Sequence, residues 1–89
     1  SKSAIVTASR VMALEFGRYN IRVNCVAPGL TDTEMMKSST SEKFINQTLD
    51  RIPLKRVGKP EEIANVITFL ASDNSSYING ETIRIDGGY

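Results

Sequence analysis

The sequence predicts an α/β fold, and three observations support this class. Two short stretches rich in β-branched residues, one in the first third of the chain and one near its end, alternate as strands do. Three other stretches carry apolar residues at the spacing of amphipathic helices. The order is helix, strand, helix, helix, strand, and strands joined through helices usually pair in parallel with a right-handed crossover.

The first helix is predicted over residues 1–16, and Gly17 is a typical stop signal. Two neighbouring stripes run along it: Ala4, Ala8, Val11 and Glu15 on one, and Ile5, Met12 and Phe16 on the other. The combined apolar arc is wide, which predicts burial of this helix on two sides.

The first strand is predicted over residues 21–27, where the side chains alternate and β-branched residues recur. Pro28 and Gly29 end it, because proline cannot donate to a sheet ladder and glycine permits unusual backbone angles.

Residues 30–37 are predicted to form a polar loop. Ser39 followed by Glu42 has the spacing of a capping box, which predicts the start of the second helix. That helix carries an apolar stripe at three- and four-residue spacing and ends at Pro53.

The third helix is predicted to start at Pro60, since proline suits the first helical position. Glu61 and Glu62 follow, and acidic side chains are favourable at the positive end of a helix. Residues 73–76 have the chemistry of a turn.

The last strand is predicted over residues 82–86, and two glycines break it. A two-stranded parallel sheet is too small to be stable alone, and Arg22 and Asn24 place polar side chains on one face of its first strand. The chain also begins with Ser1 and Lys2 rather than Met and enters a helical pattern at once. We therefore expect residues 1–89 to be part of a larger sheet.

Composition excludes several functions. Eleven basic and ten acidic residues give a formal charge of +1, without the basic surplus typical of nucleic-acid binding. No apolar run approaches the roughly 18 residues of a membrane span, and no signal peptide is visible. One cysteine excludes an intrachain disulfide, which favours a reducing, cytoplasmic compartment. Without histidine, we expect no metal site.

The segment that follows the first strand is the candidate binding site, because ligands of open parallel sheets bind beyond the carboxyl ends of strands. It offers backbone amides and carbonyls and the hydroxyls of Thr31 and Thr33, which suit an amide or a phosphate. The alternative is an ordinary connecting loop.

Other residues have both a chemical and a structural interpretation. Lys2 is either a catalytic or phosphate-binding cation or a solvated charge. Cys25 lies in a strand, which favours a core position over a nucleophile. Met35 and Met36 form a flexible apolar patch that could touch a ligand.

Two acidic pairs invite an acid–base interpretation: Asp32 with Glu34, and Glu61 with Glu62. The start of a helix explains the second pair better.

Eleven short motifs stand in order along the chain: Ser1-Lys2, Ile21-Arg22-Val23-Asn24, Ala27-Pro28-Gly29, Thr33-Glu34-Met35, Pro53-Leu54, Arg56, Gly58, Pro60-Glu61-Glu62-Ile63-Ala64, Phe69-Leu70-Ala71-Ser72-Asp73, Tyr77-Ile78-Asn79-Gly80 and Asp86-Gly87-Gly88. Their order and spacing resemble the C-terminal third of the short-chain dehydrogenase/reductase family, especially its 3-oxoacyl-[acyl-carrier-protein] reductase branch. The resemblance covers essentially all 89 residues. It implies the C-terminal portion of a Rossmann-type, doubly wound parallel sheet.

The resemblance implies hydride transfer between a nicotinamide cofactor and an alcohol or carbonyl. Lys2 matches the lysine of the family's Tyr-x-x-x-Lys motif, which contacts the nicotinamide ribose and lowers the pKa of the tyrosine. The matching tyrosine would precede Ser1. The family's glycine-rich turn, its catalytic serine and the residue that selects NAD or NADP would also lie upstream.

The loop after the first strand also matches the family. Pro28 and Gly29 match the turn beside the nicotinamide. Thr31 matches a position whose backbone amide and carbonyl meet the carboxamide. Thr33 matches a hydroxyl that bonds the carboxamide or the pyrophosphate.

Residues 34–52 match the family's mobile segment over the substrate, which makes Met35, Met36 and Phe44 candidate lid residues. The first helix resembles the family's long helix in a four-helix dimer interface, and the last strand resembles one near a second two-fold axis. The resemblance therefore implies a homotetramer in the full-length form.

The leading hypothesis is the C-terminal portion of an NAD(P)-dependent reductase acting on a small-molecule or carrier-bound 3-oxoacyl thioester, with NADP favoured for such a substrate. A sugar, steroid or other alcohol dehydrogenase of the same family is one alternative. A non-catalytic short product that binds full-length subunits is another. We expect the 89-residue chain alone to be inactive and poorly folded.

Overall fold

A computed structural model describes the backbone of residues 2–89 and the side chains of residues 4–89. In chain order, its elements are α1 (Lys2–Gly17), β1 (Cys25–Pro28), α2 (Glu34–Ser39), α3 (Glu42–Arg51), α4 (Pro60–Ala71), a 3-10 turn (Asp73–Ser75) and β2 (Thr82–Ile85). The structure confirms the predicted α/β class and adds one short helix, α2. In this described part, no helix has the length and apolar character needed to cross a membrane.

The two strands are neighbours in one sheet. The Cys25 N–H donates to the Glu81 carbonyl at 2.8 Å, and the Gly29 N–H donates to the Ile85 carbonyl at 2.9 Å. Both partners advance in the same direction along the chain, so the strands are parallel, as predicted.

Strand β1 begins four residues later than the predicted residue 21. The Val23 N–H donates to the Asn79 side chain at 3.0 Å, and the Val23 carbonyl accepts from the Gly80 N–H at 2.8 Å. At Val23, the Asn79 side chain thus accepts the backbone N–H that a neighbouring strand would otherwise pair with. The β-branched pattern is present, but the sheet ladder starts only at Cys25.

Helix α2 replaces the second half of the loop predicted over residues 30–37. Thr33 is its N-cap residue, and the Thr33 hydroxyl oxygen accepts the Met36 N–H at 3.1 Å. Such a cap satisfies one of the free amides at a helix start, which allows a turn of helix in a polar segment.

Helix α3 is capped by Ser41, whose hydroxyl accepts the Phe44 N–H at 3.1 Å. The predicted cap, Ser39, ends α2 instead and donates to the Met35 carbonyl at 2.6 Å. The capping-box prediction was therefore wrong by two residues, although the helix itself is confirmed.

The chain divides into two compact units. The first contains the described residues up to Val26 together with Val66–Ile83. In it, α1 buries Ser9 and Ala13, and the Asn79 amide donates to the Ala13 carbonyl at 3.1 Å. The burial predicted for both apolar stripes of α1 is not observed in this chain. The large apolar side chains of the stripes are exposed: Ile5, Val11, Met12 and Phe16.

Arg22 organises the end of α4 in the first unit. Its guanidinium donates to the carbonyls of Leu70 at 2.8 Å, Ser72 at 3.3 Å and Ile78 at 3.2 Å. Carbonyls at a helix C-terminus lack partners within the helix, and a cation is favourable there. The polar residue that looked unsuitable for a strand therefore serves as a cap for a distant helix.

The second unit contains Ala27–Asn65 and Arg84–Tyr89. Ile52, at the end of α3, is 2% exposed and is the largest fully buried apolar side chain among residues 4–89. Gly87 lies against it with a φ of +67°, and a Cβ atom there would be 2.8 Å from Ile52 Cγ2. Both the positive φ and the close approach require glycine.

Candidate functional site

The loop Pro28–Thr33 starts at the last residue of β1, because the strand includes Pro28 rather than ending before it as predicted. The loop thus lies at the carboxyl end of β1, where the sequence predicts a binding site. The Gly29 N–H continues the ladder to the Ile85 carbonyl at 2.9 Å. A Cβ atom on residue 29 would lie 2.7 Å from the Asp86 Cβ and 2.9 Å from the Asp86 Cα. Since real Cβ atoms do not approach so closely, glycine lets the loop follow the end of β2.

Thr31 is held at both sides by one residue from a distant part of the chain. The Gly58 N–H donates to the Leu30 carbonyl at 2.9 Å, and the Gly58 carbonyl accepts from the Asp32 N–H at 2.8 Å. This isolated parallel bridge leaves the Thr31 N–H without an acceptor among the described residues. The Thr31 hydroxyl donates to the Gly29 carbonyl at 3.0 Å, which closes the turn.

Thr33 ends the loop and begins α2. Its backbone N–H donates to the Thr31 carbonyl at 2.9 Å, and its hydroxyl oxygen accepts the Met36 N–H at 3.1 Å. Within residues 4–89, no group accepts the Thr33 hydroxyl hydrogen. That hydroxyl is exposed and can donate to a ligand.

The loop therefore presents two hydrogen-bond donors two positions apart, the Thr31 N–H and the Thr33 hydroxyl. Both belong to a segment fixed by backbone hydrogen bonds rather than by side chains alone. Donors of this kind suit a carbonyl or phosphate oxygen.

Met35 and Met36 lie in the first turn of α2, directly after the loop, and Phe44 lies in α3. Met35 is 77% exposed and Phe44 is 54% exposed, while Met36 is half-buried. The Lys37 ammonium lies 3.4 Å from an Asp32 carboxylate oxygen and bridges α2 to the loop. The predicted lid residues thus present apolar surface close in sequence to the loop.

Lys2 belongs to the α1 backbone, but its side chain lies outside the described residues. Its predicted role is therefore not tested by the geometry. Cys25 is half-buried in β1, in accord with a structural position. Among the described residues, no three His, Cys, Asp or Glu side chains come together as a metal site would require.

Glu62 makes contacts that sequence reasoning missed. Its carboxylate binds Arg56 at both oxygens, with Nη1–Oε1 at 2.7 Å and Nη2–Oε2 at 2.8 Å, and Oε1 accepts the Lys59 N–H at 2.9 Å. The Arg56 hydrogen bonds, followed by the Lys59 N–H, lower the pKa of the Glu62 carboxyl to about 2. A carboxyl with so low a pKa does not act as a general base or acid near neutral pH.

An open cavity of about 620 Å³ lies in the second unit. Its walls come from the loop, the segment before α4 and the end of β2: Leu30, Pro53, Leu54, Arg56, Gly58, Glu62, Arg84, Ile85, Asp86, Gly87 and Gly88. Leu30 belongs to the loop, but none of the predicted site residues with a described side chain lines the cavity. The predicted residues instead lie together along one contiguous stretch of chain.

Comparison with known proteins gives consistent matches over this whole arrangement. A family model described as "Enoyl-(Acyl carrier protein) reductase" matches residues 1–89. The 3-oxoacyl-[acyl-carrier-protein] reductase FabG of Chlamydia trachomatis is 50% identical over 88 residues, which are 99% of this chain and 35% of that protein. The 3alpha-hydroxysteroid dehydrogenase of Mediterraneibacter gnavus is 48% identical over 87 residues, 98% of this chain and 34% of that protein.

A solved structure is also similar. The crystal structure of a 3-oxoacyl-[acyl-carrier protein] reductase from Brucella melitensis superposes with a TM-score of 0.92 at 37% sequence identity, covering 98% of this chain and 32% of that one. The chain thus spans about a third of the length of the relatives it matches.

Proposed function

Because the chain belongs to the short-chain dehydrogenase/reductase family of oxidoreductases, we propose that residues 1–89 form the C-terminal portion of one catalytic domain. That domain would reduce a carbonyl to a hydroxyl with NADPH or NADH. The loop Pro28–Thr33 carries the proposal, because it keeps a backbone N–H and a hydroxyl free beyond the end of β1. We call this segment the cofactor loop.

The residues of the cofactor loop fit a nicotinamide. Gly29 has no side chain between the loop and β2, the Thr31 N–H can donate to a carboxamide oxygen, and the Thr33 hydroxyl can donate to the carboxamide or the pyrophosphate. When bound, the dinucleotide supplies the hydride. The loop's own contribution is to fix the orientation of the ring and thus the face that meets the carbonyl.

Lys2 would hold the ribose and lower the pKa of a tyrosine supplied by the preceding part of the domain. An ammonium close to a phenol favours the phenolate and moves its pKa down toward neutrality. The tyrosine would then exchange a proton with the substrate oxygen as general acid or base.

A 3-oxoacyl thioester is the favoured substrate, with NADPH as the favoured reductant. The matches to 3-oxoacyl-[acyl-carrier-protein] reductases from Chlamydia and Brucella support this choice. The exposed Met35 and Phe44 give the lid an apolar surface suited to an acyl chain.

A hydroxysteroid dehydrogenase is the second candidate. The relative from Mediterraneibacter gnavus is 48% identical, close to the identity of the acyl reductase from Chlamydia. The same apolar lid would also suit a steroid.

We further propose that the full-length protein is a homotetramer in which α1 contributes to a subunit interface. The exposed Ile5, Val11 and Met12 on α1 support this assignment, since apolar surface of this kind is commonly covered by a partner.

The test uses the full-length protein encoded by the complete reading frame that contains these residues, here called the full-length reductase. Its oxidation of NADPH and of NADH is measured with three carbonyl substrates: an acetoacetyl thioester, a ketosteroid and a ketose sugar. Turnover of the thioester supports the leading proposal, and turnover of the steroid ketone alone supports the second candidate. A start codon immediately upstream of the Ser1 codon, or a protein that reduces none of these carbonyls, contradicts the catalytic proposal.

A further inference from the structure

Hydrogen bonds join the residues on either side of Gly58, in the segment before α4, to the first turn of that helix. Glu62 accepts from the Arg56 guanidinium at 2.7 and 2.8 Å and from the Lys59 N–H at 2.9 Å, while Arg56 Nη1 also donates to the Val57 carbonyl at 3.2 Å. One carboxylate thereby joins a side chain that precedes Gly58 to a backbone amide that follows it. We call Arg56, Lys59 and Glu62 the carboxylate clamp.

Gly58 in turn fixes the cofactor loop. It donates to the Leu30 carbonyl at 2.9 Å and accepts from the Asp32 N–H at 2.8 Å. These two bonds flank Thr31, so the direction of the Thr31 N–H depends on where the Gly58 backbone lies. The clamp and the loop are thus connected through one residue.

Capping of α4 alone does not account for the clamp. The bond from the Lys59 N–H to Glu62 Oε1 would be enough for a capping role, and Glu61 already supplies an acidic side chain in the first turn. Glu62 Oε2 is instead directed to Arg56, which makes the pair bidentate. Bidentate arginine–carboxylate pairs add geometric specificity to their electrostatic attraction.

We propose that Glu62, acting with Arg56, is a positioning residue that holds Gly58 and, through it, the Thr31 N–H in the orientation that receives the nicotinamide. The proposal rests on the proposed function of the cofactor loop. Because the pKa of Glu62 is about 2, the carboxylate stays ionised and the clamp stays closed near neutral pH.

The test compares Glu62→Gln with Glu61→Gln in the full-length reductase. Both changes remove one negative charge from the first turn of α4, but only the first breaks the pairing with Arg56. Glu62→Gln is expected to weaken NADPH binding about fivefold and to raise the KM for NADPH. The KM for the carbonyl substrate should stay unchanged, and Glu61→Gln should alter neither value.

Amide hydrogen exchange gives a direct readout of the connection. Glu62→Gln should accelerate exchange at Gly58 and Asp32, whose N–H groups form the bridge, and Arg56→Lys should have a smaller effect because it keeps the charge. Arg56→Lys also serves if Glu62→Gln does not fold. The proposal would be overturned if Glu62→Gln and Arg56→Lys both showed the same amide exchange at Gly58 and Asp32, and the same NADPH affinity, as Glu61→Gln. Dinucleotide binding by the unaltered full-length reductase is measured first. If that protein binds no dinucleotide, the proposed function itself is overturned, independently of any substitution.

Discussion

Gly29 lies directly against Asp86, so that a Cβ atom on residue 29 would be 2.7 Å from the Asp86 Cβ. The contact joins the start of the cofactor loop to the residue after β2. Backbone and Cβ atoms of Asp86 cannot rotate away, in contrast to the end of a long side chain. Even one methyl group at position 29 must therefore separate the two segments.

We expect Gly29→Ala to destabilise the full-length reductase by about 1–3 kcal/mol, as overpacking does elsewhere. It should also weaken NADPH binding, because the bond from the Gly29 N–H to the Ile85 carbonyl would be strained. Thermal melts and dinucleotide titrations measure the two effects. Gly17→Ala is the matched control, since its Cβ would meet its nearest atom, the Asn79 side-chain nitrogen, at an ordinary 3.4 Å, and Gly17 belongs to the first unit rather than to the cofactor loop. Equal effects of the two substitutions would contradict this explanation.

Thr33→Val should remove both functions of the Thr33 hydroxyl. Loss of the α2 cap should cost about 1 kcal/mol of stability. Loss of the free donor should weaken NADPH binding about fivefold. Ser41→Ala provides the comparison, because it removes the equivalent cap of α3 away from the cofactor loop. It should lower the melting temperature while leaving the NADPH affinity unchanged, and Thr33→Ser should restore both properties.

Arg22→Gln should destabilise the full-length reductase by about 2–3 kcal/mol, because the carbonyls of Leu70, Ser72 and Ile78 lose a charged donor. Arg18→Gln is the control, since within residues 4–89 the contacts of Arg18 are exposed ones with Glu15 and Tyr19 alone. Its effect should be less than about 0.5 kcal/mol. Chemical denaturation measures both, and similar losses would mean that the Arg22 contacts contribute little.

The elements with local signals were predicted well. Gly17, Pro60 and the glycine pair after β2 each mark an observed boundary to within two residues. The Thr33 cap was missed because the residue three positions on is Met36, which lacks the carboxylate of a capping box. Ser41 was missed for a related reason, since Phe44 stands where an acidic or amide side chain would have marked it.

The contacts that fix the site could not be predicted from local patterns, because they join distant parts of the chain. Arg22 and Ile78 are 56 positions apart, and Gly58 reaches back to Leu30. The rule that ligands bind beyond strand ends predicted the location of the cofactor loop as a binding site. It contained no information on which backbone segment would hold Thr31.

The clamp also predicts a pH dependence. The pKa of Glu62 is about 2 in the folded chain against an ordinary value of 4.5. Its contribution to stability is therefore complete above about pH 4.5, decreases as the pH falls further and is lost near pH 2. The difference in melting temperature between the unaltered full-length reductase and Glu62→Gln should shrink over this interval. A difference that stays constant between pH 5 and about 2.5 would contradict the assignment.

The isolated 89-residue chain should neither melt cooperatively nor reduce a carbonyl. Among residues 4–89, the buried apolar side chains are Ala13, Ala27 and Ile52, and two of these are alanines. So little buried apolar area cannot offset the conformational entropy of about 1–2 kcal/mol per ordered residue. Circular dichroism on heating should show a gradual change, and the full-length reductase under the same conditions should show a sharp one. A sharp transition of a monomeric 89-mer would mean that these residues form an independent core, and measurable carbonyl reduction by it would show that the catalytic groups lie within them.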